Sequence, residues 1–153
     1  MTVKMRTMTR ALLGVLLLAA AAVAHAQVEA RAAWVRGTVP GQTTAGAYME
    51  LTSDRRASLL GAESPAAGSA EIHEMRMEGN VMRMRAVPRL DLPPGKTVEL
   101  KPGGHHMMLV DLKRPLKKGD LVTIRLKVEL SDKTTKTIQV VAEVRELAAT
   151  GRH

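Results

Sequence analysis

The sequence predicts an all-β fold, a sandwich or barrel of about eight short strands, on three observations. Apolar and polar residues alternate with period two along several segments. Turn-forming residues recur at close intervals between those segments. Beyond residue 27, no amphipathic stretch of helical period outlasts two turns.

The chain begins with Lys4, Arg6 and Arg10 and no acid. Residues 11–24 are an unbroken apolar run of 14, and Ala24-His25-Ala26 follows with small residues at both recognition positions of a cleavage site. This order reads as a secretory signal peptide cut after Ala26. The run is shorter than the roughly 18 residues that span a bilayer. No cysteine lies near the junction, so a lipidated cysteine is excluded there. The expected organisation is a signal peptide over 1–26, one β domain over 27–146 and a short flexible tail over 147–153.

Within that domain Val28, Ala30, Ala32 and Trp34 alternate weakly. Ala45, Ala47, Met49 and Leu51 alternate with Tyr48, Glu50 and Thr52. Val122, Ile124, Leu126, Val128 and Leu130 share one face of a strand. Ile138, Val140, Ala142 and Val144 repeat the pattern after a Ser131-Asp132-Lys133 turn, which predicts a long hairpin. Pro40-Gly41, Ser53-Asp54, Gly79-Asn80, Pro93-Pro94-Gly95, Pro102-Gly103-Gly104 and Lys118-Gly119-Asp120 mark further turns.

Composition removes several function classes. Zero Cys excludes disulfide scaffolds, cysteine zinc sites, iron–sulfur clusters, thiol catalysis and blue-copper centres. Trp34 and Tyr48 are the whole aromatic inventory, so the core is built from Leu, Val, Ile, Ala and Met. The net charge of +8 falls when the three basic residues of the leader depart. Secretion and the lack of aromatic stacking platforms argue against nucleic acid. The remaining basic surface suits steering toward an acidic protein partner.

The chemistry concentrates in two segments. In 71–85, a two-residue turn at Gly79-Asn80 sets 78 opposite 81, 77 opposite 82 and 75 opposite 84. His73, Met75, Met77, Met82 and Met84 then share one face, and Glu74, Arg76, Arg83 and Arg85 the other. In Gly103-Gly104-His105-His106-Met107-Met108, His106 and Met108 point one way and His105 and Met107 the other. A residue just past such a glycine turn is expected at the rim of the fold. Thioethers are soft and neutral, and imidazole accepts copper, zinc, nickel or iron. A His/Met set therefore suits Cu(I) and is poor for Mg, Ca, Mn or catalytic zinc. In an oxidising compartment thioethers avoid the disulfide loss that thiolates suffer. The competing reading is core filler, since methionine packs well in a chain without Phe. Met49, Met77 and Met82 read that way, and Met107 as core or surface. The two triplets His73-Glu74-Met75 and His106-Met107-Met108 leave metal binding and plain packing both open.

His73, ten residues, Met84, twenty-one residues and His106-x-Met108 resemble the ligand pattern of periplasmic copper chaperones of the PCu(A)C type. Ala33-Trp34-Val35-Arg36, Gly46-Ala47-Tyr48-Met49, Leu100-Lys101-Pro102-Gly103-Gly104 and Pro115-Leu116-Lys117-Lys118-Gly119-Asp120 look like that family's blocks. The likeness runs over residues 28–130 or so. It implies a cupredoxin-like β-sandwich or barrel. It implies one Cu(I) held by His73, Met84, His106 and Met108, and delivery for cytochrome c oxidase assembly. The acceptor would be the oxidase copper subunit or a Sco-type protein. The expected setting is a periplasmic monomer without nucleic acid or, after cleavage, a membrane anchor. Enzymatic turnover is not expected, because no catalytic triad, paired-carboxylate motif or phosphate loop occurs. The alternatives are copper sequestration for tolerance and a metal-free interaction module. His105 reads as a solvated surface histidine and His153 has no assigned role. Met75 is the nearest further thioether, able to exchange with Met84.

Overall fold

The computed structural model describes residues 28–146. The expected signal peptide and the tail from 147 lie outside the described residues. The described residues form ten strands and no helix. They are β1 (Val28–Arg36), β2 (Thr44–Ser53), β3 (Ala57–Glu63), β4 (Ala67–Glu78) and β5 (Val81–Ala86), then β6 (Leu90–Leu92), β7 (Val98–Leu100), β8 (His106–Leu112), β9 (Leu121–Leu130) and β10 (Thr135–Arg145).

The order β4-β8-β2-β1-β10-β9-β3 closes on itself through a β3–β4 contact at Ala62 and Ala70, giving a seven-stranded barrel. All pairs in it are antiparallel except β1 with β10. Closure leaves the additional short strands at the margins: β5 on β4, β6 on β3 and β7 on β2. The fold class is thus the all-β, cupredoxin-like barrel expected, with two three-residue strands, β6 and β7, flanking the Pro93-Pro94-Gly95 turn. Such short strands carry too few alternations to register as a period.

Period two translates directly into burial where both strands of a pair are long. Val122, Ile124, Leu126, Val128 and Leu130 of β9 all face the core, as do Val140, Ala142 and Val144 of β10. Ser131-Asp132-Lys133 makes the connecting turn, with Lys133 in the left-handed region at φ 69 and its N–H donating to the Leu130 carbonyl at 2.9 Å.

The first strand departs from its expected alternation. Pairing of β1 with β2 shifts register between Arg31 and Trp34, and Ala32 sits at φ 51. The bulge adds a residue to one strand and so exchanges its faces. Val28 and Val35, which differ in parity, both reach the core at 3% and 0% exposure, and Trp34 turns outward. There it pairs across to Tyr48 and stacks on it, with ring centroids 4.4 Å apart. Arg36 lies over the Tyr48 ring and Arg145 over Trp34, so the two aromatics are covered from outside by guanidinium groups.

Candidate metal centre

At the end of the β4–β8 pair near the Gly103-Gly104 turn, His106 and Met108 of β8 and Glu71 and His73 of β4 point away from the barrel interior. Met107 and Leu109, the opposite parity, are fully buried in the core. The register of β4 with β8 sets His73 directly opposite His106 and Glu71 opposite Met108. On the other side of β8, Gly46 of β2 lies opposite Met108. The outer surface of this wall therefore carries His73, His106, Met108 and Glu71 together, at the end where β8 emerges from the Pro102-Gly103-Gly104 turn.

β4 continues past His73, beyond the last residue paired to β8, and there it pairs only with β5. The turn at Gly79-Asn80 puts Gly79 at φ 62, a backbone state glycine enters without a Cβ penalty. Glu78 opposes Val81, Met77 opposes Met82 and Met75 opposes Met84, the register read from sequence. A cleft of about 330 Å³ gathers Met84 and Met75 from this hairpin with His106 and Met108 of β8, beside Gly46, Tyr48 and Arg36. His73 adjoins it, its ring 5.8 Å from that of His106 between centroids and at 63° to it. Three of the four expected ligands, Met84, His106 and Met108, thus line one cleft, and the fourth, His73, stands beside His106.

The hydrogen bonds fix which nitrogen of each imidazole is free. The Nδ1–H of His106 donates to the Gly104 carbonyl at 3.0 Å. The Nε2–H of His73 donates to Glu71 Oε2 at 2.8 Å. Both acceptors lack a proton to give, so in the neutral ring the lone pair falls on the other nitrogen, His106 Nε2 or His73 Nδ1. Both are buried and have no partner. A buried polar atom left unpaired costs roughly 1–3 kcal/mol; these two stand on directly opposed residues, and Arg36 Nε, at the same cleft, is a third among the described residues. An imidazole that donates one N–H to a carboxylate or carbonyl and keeps the other nitrogen free has the arrangement usual for metal-ligating histidine. Among the described residues no three His, Cys, Asp or Glu side chains cluster to hold a metal ion. The cleft is also lined by the thioethers of Met75, Met84 and Met108, which suit a soft ion.

Three neighbours of the site escaped the sequence reading. Glu71, two residues before His73 and on its face, was legible by the same parity that grouped the ligands. Gly104 acts through its carbonyl. Gly46 lies under the Tyr48 ring, where an added Cβ would come within 2.8 Å of Tyr48 Cζ. Tyr48, expected on a polar face, is only 6% exposed. The register that faces Gly46 with Met108 depends on long-range pairing, so sequence carried no signal for it.

Two expectations are corrected. Met77 and Met82 are not core filler: they are 60% and 47% exposed, because β5 is an edge strand outside the barrel and none of the described residues forms a layer above it. Met49 and Met107 are core, at 2% and 0%. His105 turns to the far face and lies 3.6 Å from Glu74, an exposed ion-pair position away from the four ligands. A separate groove of about 400 Å³ holds Arg89, Glu129, Asp91 and Lys133, but these charges pair with one another and offer no soft donor.

Residues 28–140 match the model of the LpqE-like family, described as "Putative lipoprotein LpqE-like". The chain is 34% identical over 114 residues to "Putative lipoprotein Lxx21020" of Leifsonia xyli subsp. xyli, covering 74% of this chain and 68% of that one. Among solved structures it resembles apo-DR1885 of Deinococcus radiodurans at 37% identity and a TM-score of 0.59, over 82% of this chain and 83% of that one. The copper(I) form of DR1885 is similar at 35% identity, over 77% and 76%, with a TM-score of 0.56. The apo PCuAC domain of PmoF1, at 21% identity, shares the fold over 80% of this chain and 96% of that one, with a TM-score of 0.63.

Proposed function

The chain belongs to the LpqE-like family, and from that membership and the site just described we propose that it is an exported copper chaperone. His73 Nδ1, His106 Nε2 and the Met84 and Met108 sulfurs hold one Cu(I) as cargo. The observation that carries this reading is the pair of buried, partnerless imidazole nitrogens on directly opposed residues. The DR1885 structure with copper(I), on the same fold, supports the choice of ion.

Two neutral nitrogens and two neutral sulfurs bind Cu(I) less tightly than paired thiolates do. Metal therefore passes downhill to a cysteine-bearing acceptor. We assign that acceptor to cytochrome c oxidase assembly, as the oxidase copper subunit or a Sco-type protein, and place the exchange in the periplasm. Met84, 47% exposed, is the ligand an acceptor reaches first. His106, 4% exposed and tied to Gly104, is the last to let go. The family description speaks of a lipoprotein, yet the 153 residues contain no cysteine on which a lipid thioether could form. Within this sequence the proposed route is release after signal cleavage.

The test is an anaerobic competition of the protein against a chromophoric Cu(I) chelator, with His106→Ala and Met84→Ala. Affinity is expected to fall by about 100-fold for His106→Ala, the upper end of what even outer-shell losses cost, and by less for Met84→Ala. Unchanged affinity in both variants removes the site.

A further inference from the structure

The outward face of the β4–β5 hairpin carries more thioether than four-ligand binding uses. Its large apolar positions are Met75 and Met77 on β4 and Met82 and Met84 on β5, paired as Met75 with Met84 and Met77 with Met82, with Ala86 opposite His73 beyond them. Not one of the four is Leu, Ile or Val, although branched residues suit a strand better than methionine does. Elsewhere the fold uses methionine as core, with Met49 and Met107 buried. Here it leaves Met77 and Met82 in solvent at 60% and 47% exposure, forgoing their burial. Directly opposed strand residues hold their Cβ atoms about 4.5–5.5 Å apart. The unbranched, three-torsion arms of methionine reach a common point from that distance. The Met77–Met82 pair lies two residues, roughly 6.6–6.8 Å along the strand, from Met75–Met84. The sulfurs thus run in sequence from the hairpin tip into the cleft, which Met75 and Met84 both line.

We propose that Met75, Met77 and Met82 form a second soft-cation site, taking one Cu(I) through three thioethers and exchanging it with the His73–His106 site by way of Met75 and Met84. The identity of the cation rests on the copper reading above; the site itself does not share that reading's histidines. The transfer is ligand exchange alone, with one thioether joining as another leaves and no change in the oxidation state of copper. Three neutral sulfurs with no imidazole, near Arg76, Arg83 and Arg85 on the opposite face, hold the ion more weakly than the cleft does. That ranking suits a point of entry or handover.

The experiment is an anaerobic Cu(I) titration of the purified protein, repeated with Ag(I) while the methionine methyl resonances are followed by NMR. The native protein is expected to take two equivalents, the second weaker, with the Met77 and Met82 methyls moving on the second. Met77→Leu/Met82→Leu, exposed and close in volume, is expected to lose the second equivalent and keep the first. His106→Ala/Met108→Leu is expected to lose the tight equivalent and still move the Met77 and Met82 methyls, which separates failure of the main site from failure of this one. A native protein that takes one ion without moving those methyls overturns the proposal. So does a Met77→Leu/Met82→Leu variant that still takes two, which would put the second ion elsewhere.

Discussion

The two faces of the β4–β5 hairpin are built from the same fifteen residues and are finished differently. On one, Glu78 pairs with Arg83 at 3.1 Å and also with Arg85, while Glu74 lies 4.0 Å from Arg76 and 3.6 Å from His105. On the other, His73 Nδ1 is buried without a hydrogen-bond partner and Met77, Met82 and Met84 are exposed. Surface ion pairs of this kind contribute about 0–1 kcal/mol each and serve mainly solubility. The methionines of that face forgo what burial would have gained them.

The same contrast divides adjacent residues of β8, and the largest expected effect lies there. Met107→Ala is expected to cost about 2–5 kcal/mol of stability, as for other buried methionines, read by denaturant unfolding. Met108→Leu, on the outer face, is expected to change stability by less than about 1.5 kcal/mol while Cu(I) affinity drops at least tenfold, near the low end of about 10–100-fold for outer-shell changes. Equal stability losses in the two variants would erase the distinction between the faces.

Glu71→Gln sharpens it further. The amide still contacts His73 but no longer holds its Nε2–H by charge, so Cu(I) affinity is expected to fall about tenfold, measured by chelator competition. Glu78→Gln, on the paired face, is expected to leave Cu(I) affinity unchanged and to cost at most about 1 kcal/mol.

The smallest effect is expected far from the hairpin, at the Lys117–Asp120 turn. The Lys117 N–H, and next the Arg114 guanidinium, donate to the Asp120 carboxylate at 3.0 and 2.6 Å and hold its pKa below the ordinary aspartate value. A depressed carboxyl stabilises the fold above its unfolded value, and that contribution is lost as pH falls through the folded value. Asp120→Asn is therefore expected to lower the melting temperature slightly at neutral pH and not at all once pH lies below the aspartate range. A deficit that persists in strong acid would assign the effect to lost hydrogen bonding alone.

Much of this was legible in the chain. The period-two runs of β9 and β10 fixed which residues are buried, because an even alternation on a long strand admits one inward face. The Gly79-Asn80 turn fixed the hairpin register, because a two-residue loop leaves one way to pair its flanks. β1 was misread because a bulge is one residue of backbone geometry at Ala32, where no side-chain type announces it. Met77 and Met82 were misread because parity reports which face a residue takes and says nothing of whether another layer covers that face.

By itself the sequence determined the donor types, their parity and the absence of thiol chemistry, all of which follow from residue identity and the two-residue strand repeat. Only the tertiary structure decided that His73 stands across from His106. It likewise decided that Glu71 and the Gly104 carbonyl each accept a hydrogen bond from one ring nitrogen, and that the remaining nitrogens are buried. Those facts depend on β4 and β8, whose paired residues lie more than thirty positions apart, choosing each other as neighbours, and that choice is made by closing the barrel around its core.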